Sequence, residues 1–269
     1  MIHDVSTTVA YVTGASRGIG RLLATSLAAD GARVAGFARA SADLESLSSH
    51  PGALVAIPMD VSDPVSVTSG FKSAGEKLGD PTLVVTCAGS IDALGPIARV
   101  DPERWWQAVT VDLRGTMLCA RAALSTMIPR SAGRIVTVYG NLGDDGREHV
   151  SAFAAAKAGV ARFTETLASE LEGSGVIAVC MHPGFVQTPM TEHMASSTDG
   201  RQWLPAFGDR APDHWGDGTS AQHLMRRIIA GDADALAGRV VVVDDDLSAL
   251  AVASTDDADL RRLRIRSST

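Results

Sequence analysis

The stretch from Val9 to Gly20 constrains the fold of this chain more than any other part of the sequence. Its letters are VAYVTGASRGIG, an apolar run that passes through three glycines into a segment of helical period, Arg21 to Ala29. The pattern predicts a first strand, a tight turn and a first helix. A turn with few side chains lets backbone N–H groups approach an anionic ligand at the positive end of the helix. The glycines are spaced GxxxGxG, which alone is a weak signal for dinucleotide binding and needs support from the rest of the chain.

Short apolar runs alternate with segments of helical period along the chain. The predicted strands are Val9 to Thr13, Arg33 to Ala38, Ala53 to Pro58, Leu83 to Thr86, Arg134 to Tyr139, Val176 to Met181 and Arg239 to Val243. The predicted helices include Arg21 to Ala29, Val65 to Lys77, Pro102 to Met127, Ser151 to Glu172 and Thr219 to Ile229. This alternation is typical of a parallel sheet covered on both faces. We therefore predict an α/β fold in which residues 1–269 form a single doubly wound Rossmann domain with a seven-stranded parallel sheet.

Residues 189–218 have the composition of a loop, since they are rich in Gly, Pro, Asp, His and Trp. A long loop beyond the carboxyl ends of parallel strands is typical of a lid over a substrate. We expect this segment to be such a lid.

Charge and cysteine content narrow the classes of function. The net charge is −7, and apart from a short cluster that begins at Arg261 the basic residues are scattered, which disfavours a nucleic-acid partner. The three cysteines lie in apolar segments without CxxC spacing, as expected of reduced thiols in the cytoplasm. No apolar run has the length of a membrane span. We expect a cytoplasmic protein that acts on a small molecule, away from membranes.

Polar residues just after the predicted strands indicate the ligand. Arg39 follows the second strand, and Arg17 lies in the glycine turn. A ribose 2′-phosphate needs a cation here, whereas NAD-preferring sites place a carboxylate. The two arginines therefore favour NADP over NAD, the alternative being that both only face water. After the third strand, Asp60 has two open roles: it accepts a hydrogen bond from the adenine amino group, or it caps the next helix.

Together these features resemble the short-chain dehydrogenase/reductase family. The matching segments, in the family's order, are TGASRGIG at 13–20, Asp60-Val61, Ala88-Gly89, GRIV at 133–136, AAAKAG at 154–159 and PGFVQTP at 183–189. They extend over nearly the whole chain, so the set is specific although each motif alone is not. The resemblance implies an oxidoreductase that uses NADP(H).

The resemblance also implies which residues hold the cofactor. Lys157 would bind the nicotinamide ribose, while Val186 and Thr188 would contact the nicotinamide carboxamide. The whole predicted cofactor site consists of Gly14, Ser16, Arg17, Gly18, Ile19, Gly20, Arg39, Asp60, Val61, Ala88, Gly89, Lys157, Pro183, Gly184, Val186 and Thr188. We expect no metal, because the acidic run 244–246 is more simply explained as the cap of a following helix.

The catalytic tyrosine of the family is absent. In the family's YxxxK motif a tyrosine stands four residues before the lysine, and this chain has Phe153 there. A phenyl ring has no proton to give, so Phe153 cannot act as a general acid. The family's serine is replaced within the segment Tyr139-Gly140-Asn141, and its helical asparagine is replaced by Asp112. Of the four usual catalytic residues only Lys157 remains.

Another group must then supply the proton, and several remain open. They are water, Tyr139, Asp112, the loop 143–149 and the histidines His149, His193 and His214. Next to the ammonium of Lys157, Asp112 is expected to stay ionised and to serve as its partner or to bind a water. Tyr139 follows a buried strand, where an aromatic ring packs more often than it reacts. Lys157, Tyr139 and Asp112, with Phe153 in the tyrosine position, form the predicted catalytic set.

Three functions are compatible with a cofactor site that lacks the family's acid. The first is an atypical biosynthetic NADP(H)-dependent oxidoreductase that acts on the carbonyl or alcohol of a small molecule, polyketide-like and polycyclic ones among them. The second is a non-redox enzyme of the same fold, such as a dehydratase, cyclase or isomerase. The third is a catalytically silent NADP-binding protein. Two predicted helices, Pro102 to Met127 and Ser151 to Glu172, resemble the family's subunit contacts and predict a homodimer or homotetramer.

Overall fold

The computed structural model describes residues 4–140, 146–209, 215–257 and 259–262. At its centre lie seven strands: β1 (Val9–Thr13), β2 (Arg33–Ala38), β3 (Leu54–Pro58), β4 (Leu83–Thr86), β5 (Gly133–Val138), β6 (Val176–His182) and β7 (Val240–Val242). All neighbouring strands pair in parallel, in the order β3-β2-β1-β4-β5-β6-β7. The predicted fold is confirmed, and each predicted strand end agrees with the observed one to within one residue.

Helices cover both faces of this sheet. In chain order they are α1 (Gly18–Ala29), α2 (Ala42–Glu45), α3 (Pro64–Leu78), α4 (Pro102–Val109), α5 (Gly115–Met127), α6 (Ser151–Glu170), α7 (Pro189–Ser196), α8 (Thr198–Trp203), α9 (Pro205–Gly208), α10 (Thr219–Ala230) and α11 (Leu247–Asp256). Alternate residues of β1 belong to two different apolar clusters, Ala10 and Val12 to one and Val9 and Tyr11 to the other. The first cluster contains residues of α1 and α10, and the second contains residues of α3 and α5. A strand buried on both faces explains why β1 is apolar at nearly every position.

Strand order reverses between β1 and β4, and in such sheets ligands bind at this point, beyond the carboxyl ends of the strands. The two strand ends are joined here by one side chain. The Thr13 hydroxyl oxygen accepts hydrogen bonds of 3.0 Å from the backbone N–H groups of Cys87 and Ala88. This contact holds the end of β1 and the segment after β4 together at the place where a ligand is expected.

The segment 102–127, predicted as one helix, consists of α4 and α5 joined by a π-helical turn at Thr110–Arg114. A π-helical turn inserts an extra residue into the hydrogen-bond ladder, and such turns are frequent at functional sites. Asp112 lies in the middle of this turn. Close packing holds the turn against α6, because a Cβ on Gly159 would lie only 2.8 Å from Leu113 Cδ2.

The expectation of an irregular loop over residues 189–218 is wrong for most of that range, which forms the helices α7, α8 and α9. Local capping explains these helices. Thr188 and Thr191 form a capping box at the start of α7, and the Ser197 side chain accepts a hydrogen bond from the Gly200 N–H at the start of α8. Residues 210–214, including His214, lie outside the described part of the chain. The lid function itself stays a prediction.

Two features of the described residues bear on the remaining expectations. No described helix has both the length and the apolar character that crossing a bilayer requires. The same residues contain no group of three or more His, Cys, Asp or Glu side chains arranged to hold a metal ion. The acidic run 244–246 is explained by local contacts, since the Asp246 carboxylate accepts hydrogen bonds at the N-terminus of α11 and Asp245 pairs with Arg261.

Candidate active site

The glycine turn between β1 and α1 leaves no room for a side chain at Gly14 or at Gly20. Gly14 has a φ of +67°, and a Cβ there would lie 2.9 Å from the backbone N and Cα of Ala88. At the start of α1, a Cβ on Gly20 would lie 2.3 Å from the carbonyl oxygen of Gly14. Ser16 and Ile19 complete this turn, and Ile19 packs against the apolar core beneath α1. The N-terminal turn of α1 contains no acidic residue and has no side-chain cap, so its N–H groups are suited to bind an anion.

The segment after β6 lies against this turn. A Cβ on Gly18 would lie 3.5 Å from the Cβ and methyl carbon of Thr188, so the two parts of the predicted cofactor site meet. Pro183 and Gly184 follow β6 directly, and the Gly184 N–H donates to Nδ1 of His182 at 3.1 Å. Val186 forms an isolated bridge with Gly216, which joins this segment to the chain beyond the lid helices.

Two cations belong to the predicted cofactor site: Arg17 lies in the turn directly before α1, and Arg39 directly follows β2. Arg17 and Arg39 are exposed, and neither guanidinium makes a hydrogen bond or ion pair with the residues that the structure describes. Asp60 is near Arg39: a hydrogen bond from the Ser62 hydroxyl, together with the charge of Arg39, lowers the pKa of the Asp60 carboxyl. One role considered for Asp60 is wrong, because α3 is capped by Asp63, which accepts from the Val65 N–H at 2.9 Å.

At the carboxyl end of β5, Lys157 and Asp112 form a buried pair. Lys157 reaches down from α6, and its Nζ donates to the Val138 carbonyl oxygen at 3.0 Å. Asp112 Oδ2 is 3.7 Å from that Nζ and has no hydrogen-bond partner among the described residues, while Oδ1 accepts from the Ser90 N–H at 2.6 Å. Neither side chain is more than 7% exposed. Gly89 completes this corner, since a Cβ on it would lie 3.5 Å from both Asp112 oxygens.

Burial and the charge of Lys157 act in opposite directions on the acidity of Asp112. Desolvation raises the pKa of Asp112 from 3.8 to about 6, and the attraction of Lys157 only partly offsets it. The expected effect of Lys157, which favours the ionised carboxylate, is present, but desolvation outweighs it, so Asp112 stays open as a proton source. The expected pairing of the two residues is present.

Phe153 lies over this pair and under the lid helices. Its ring centroid is 5.4 Å from Lys157 Nζ, and a Cβ on Gly140 would lie 3.1 Å from its Cε1. Around the ring is an apolar cluster that we call the Phe153 cluster. Its other members are Ile91, Leu94, Val150, Met190, Met194, Leu204 and Phe207, four of which come from α7–α9 and the residue between α8 and α9. Phe153 thus connects Lys157 to an apolar cluster that includes residues of α7 and α9.

Of the other proton candidates, Tyr139 and His149 pack against apolar and aromatic side chains, and others lie outside the described residues. Tyr139 is 3% exposed, and its ring packs with Val160, Ala161 and Cys180 in a separate apolar cluster. His149 is half-buried against Trp203, with the ring centroids 5.1 Å apart. His193 is exposed on α7. Asn141, residues 143–145 and His214 are outside the described part of the chain.

Three contributors to the site were missed by the sequence analysis. Thr13 joins β1 to β4, Ser90 holds Asp112 through its N–H, and the Val138 carbonyl anchors Lys157. Thr13 has a signal that could have revealed it, since a hydroxyl directly before the glycine turn has few reasons to be there. Ser90 and Val138 contribute a backbone N–H and a backbone carbonyl, which every residue type other than proline has. Their identities therefore could not have predicted these roles.

Comparison with known proteins supplies the context for this geometry. Residues 8–199 match the family model described as short chain dehydrogenase. The chain is 33% identical over 188 residues to a 3-oxoacyl-[acyl-carrier-protein] reductase of Escherichia coli K12, which covers 70% of this chain and 77% of the relative. It is 31% identical over 193 residues to 2-dehydro-3-deoxy-L-rhamnonate dehydrogenase (NAD(+)) of a Sphingomonas species, covering 70% and 76%.

Solved structures share the same architecture. An actinorhodin polyketide ketoreductase variant with NADPH superposes with a TM-score of 0.78 at 26% identity, covering 89% of this chain and 96% of that one. A short-chain type dehydrogenase/reductase from Mycobacterium marinum gives a TM-score of 0.79 at 25% identity, covering 90% and 96%. The likeness extends beyond the region matched by the family model and includes most of the fold.

Proposed function

The chain belongs to the short-chain dehydrogenase/reductase family of oxidoreductases, and from that premise we propose that it uses NADP(H) to interconvert a carbonyl and an alcohol on a small, largely apolar molecule without a tyrosine as proton donor. The observation that carries the proposal is the meeting of three parts at one sheet edge. Gly14 lies against Ala88, Gly18 lies against Thr188, and Lys157 is buried at the end of β5. These parts fit a dinucleotide that extends across the point between β1 and β4 where the strand order reverses.

The residues present are suited to hold NADP(H). The glycine turn and the uncapped start of α1 would bind the pyrophosphate through backbone N–H groups. Arg17 and Arg39 would bind the 2′-phosphate, and no carboxylate directly follows β2 to repel it. Lys157 would hold the nicotinamide ribose, with Val186 and Thr188 at the carboxamide. The preference for NADP is our own inference, since the relatives' names include both NADPH and NAD(+).

The apolar surroundings of Lys157 favour a substrate with a hydrophobic skeleton. When bound, the reduced nicotinamide supplies a hydride to the carbonyl carbon. The Phe153 cluster would exclude water from that carbon and orient the substrate through contacts with Met190 and Leu94. A polyketide-like or polycyclic ketone fits this cluster, because its rings offer apolar surface and its carbonyl is the single polar group that must reach Lys157.

Two measurements on the purified chain test this proposal. Calorimetry is expected to show binding of NADPH that is tighter than binding of NADH. NADPH absorbance is then expected to fall when cyclic ketones such as 2-tetralone and β-keto esters such as ethyl acetoacetate are added. The proposal is rejected if the chain binds neither NADPH nor NADH.

One observation favours a second candidate, a non-redox enzyme of the same fold. The Lys157–Asp112 pair offers an acid and a base within 3.7 Å without any hydroxyl between them, an arrangement that also suits dehydration or isomerisation. Turnover of a hydroxy-ketone without a change in NADPH absorbance would select this candidate.

A homodimer or homotetramer is also part of the proposal. Trp106 is 62% exposed on α4 and stacks on Trp105 with the ring centroids 6.0 Å apart, which leaves a large apolar surface on this helix. A partner subunit on this face would bury that surface. Light scattering coupled to size-exclusion chromatography measures the assembly, and Trp106→Glu is expected to shift it toward the monomer.

A further inference from the structure

Among the described residues at the carboxyl end of β5, Lys157 is the only charged hydrogen-bond donor of the candidate site. One acid, Asp112, lies next to it. Lys157 Nζ has three N–H bonds. Nζ donates to the Val138 carbonyl oxygen at 3.0 Å, lies 3.7 Å from Asp112 Oδ2 and lies 5.4 Å from the centroid of the Phe153 ring. Because phenylalanine offers no hydroxyl, the ammonium is the last group before the substrate.

The surroundings of Asp112 favour binding of a proton by its carboxyl more than the surroundings of a surface aspartate do. Its side chain is fully buried in the π-helical turn, and only Oδ1 is satisfied, by the Ser90 N–H. Oδ2, the oxygen without a hydrogen-bond partner in the described residues, is the one that faces Lys157. An ammonium 3.7 Å away compensates this buried carboxylate oxygen less than a hydrogen bond would, and binding a proton removes the remaining cost.

We propose that Asp112 is the proton store of this site and that Lys157 Nζ passes its proton to the substrate oxygen, so that the pair replaces the family's tyrosine. The inference rests on the proposed function. In the reducing direction the carbonyl carbon receives a hydride, with its two electrons, from reduced nicotinamide, and the C=O π bond breaks. The oxygen takes a proton from the Lys157 ammonium, and the neutral amine regains one from the Asp112 carboxyl. Asp112 is refilled from solvent, and the products are an alcohol and oxidised nicotinamide.

The charges around Asp112 support this role. Burial raises its pKa to about 6, with nearby Asp92 acting in the same direction and Lys157 against it. Cys87, at the end of β4, faces the same pair, but burial raises the pKa of its thiol to about 11, so it stays protonated at neutral pH. Asp112 is thus the group of this corner that changes its protonation state near neutral pH.

In this relay Asp112 does not touch the substrate and supplies the proton through Lys157. Its role must therefore appear in the dependence of the rate on pH, and a change in rate at a single pH would not be sufficient. Reduction requires the protonated carboxyl and is expected to slow as the pH rises above about 6, whereas alcohol oxidation requires the carboxylate and is expected to speed up over the same range.

The first test needs neither cofactor nor substrate. Carboxyl ¹³C signals of the full chain are followed by NMR from pH 4 to 8, and Asp112→Asn identifies the signal of Asp112. A midpoint near 6 supports the proposal. A midpoint at the ordinary value for aspartate, about 3.9, overturns it, because a permanently ionised carboxylate stores no proton.

The second test compares pH profiles of NADPH-dependent reduction of 2-tetralone. Asp112→Asn is expected to lower kcat about 100-fold and to abolish the decline above pH 6, since a positioned acid typically contributes ~10² to 10⁴ in rate. Calorimetric NADPH affinity is expected to stay within about threefold, because Asp112 is proposed to act on the proton and not on the cofactor.

Asp244→Asn, which changes an exposed carboxyl two residues after β7, serves as the matched control with an unchanged profile. An Asp112→Asn protein with the wild-type profile overturns the inference while leaving the proposed function intact. A wild-type chain that binds no dinucleotide has the reverse effect, since it rejects the proposed function while the NMR titration still decides the state of Asp112.

Discussion

The two ends of the candidate site are held together by different kinds of contact. At the proposed dinucleotide end, Gly14 lies against the backbone of Ala88 with no space for an added atom, and Gly18 lies at ordinary contact distance from the side chain of Thr188. At the catalytic end, two side chains from α6 and the π-helical turn, Lys157 and Asp112, meet as buried charges 3.7 Å apart. The first end is therefore defined by volume and the second by electrostatics.

This difference indicates how each end responds to change. We call the glycine turn 13–20 and the Ala88 backbone beside it the cradle, and its rim is the exposed side chains Arg17 and Arg39. The cradle tolerates changes of charge at its rim. It does not tolerate an extra carbon at Gly14, because backbone atoms cannot move aside without a large cost in free energy. A buried ion pair tolerates similar shapes but not the loss of one partner. Both responses can be measured separately, the first by cofactor affinity and the second by the dependence of stability and rate on pH.

The largest expected effect is at the cradle. Gly14→Val places a Cβ 2.9 Å from the backbone N and Cα of Ala88, at a φ of +67° that valine rarely adopts. NADPH affinity measured by calorimetry is expected to fall roughly 1,000-fold or more, equivalent to about 4 kcal/mol. Gly146→Ala is the control, since a Cβ there meets nothing within 4 Å. Wild-type affinity in Gly14→Val would show that the cofactor does not bind at this turn.

At the catalytic end, the effect should appear as stability that depends on pH. Because burial raises the pKa of Asp112 from 3.8 to about 6, the folded state binds its proton more tightly than the unfolded state does. Its contribution is fully present below about pH 4 and is lost as the pH rises through 6, a change of about 3 kcal/mol. Urea unfolding at pH 4 to 8 should show this slope in the wild type and not in Asp112→Asn. Equal slopes would place the ionised carboxylate in a solvated environment.

Charge at the rim of the cradle should affect one cofactor only. Arg39→Ala is expected to weaken NADPH roughly 10- to 100-fold, because a hydrogen bond to a charged group contributes ~1.5–3 kcal/mol, and to leave NADH nearly unchanged. Lys72→Ala removes an exposed cation from α3 as the control. Equal losses for NADPH and NADH would reject the assignment of Arg39 to the 2′-phosphate.

The smallest effect is expected from a substitution that adds a phenol oxygen at position 153. Phe153→Tyr places a phenol beside Lys157 Nζ, which is 5.4 Å from the ring centroid, and should raise ketone reduction about tenfold at pH 8, where Asp112 is mostly ionised. Phe153→Leu, which adds no donor, should not. A wild-type chain that is inert until tyrosine is restored would contradict a tyrosine-free reaction and favour a silent NADP-binding protein.

Much of the fold could be predicted because it depends on neighbours in sequence. The apolar runs gave every strand to within one residue, and the glycine turn between β1 and α1 follows from local geometry. The errors fell where a local signal misled. Residues 189–208 have loop-like composition, yet Thr188 and Ser197 cap short helices there. Asp60 was considered as the cap of α3, but Asp63 occupies that position.

The sequence by itself determined the parallel sheet, the glycine turn and the phenylalanine at position 153, because strand period, glycine placement and residue identity are all properties of the linear chain. Only the tertiary structure decided the state of Asp112. Its nearest charge, Lys157, is 45 positions away in the sequence, and its burial results from α5, α6 and the end of β4 closing around it. Desolvation is a property of all surrounding atoms, so sequence spacing predicted the pair and the effect of Lys157 but not how far burial raises the pKa of Asp112.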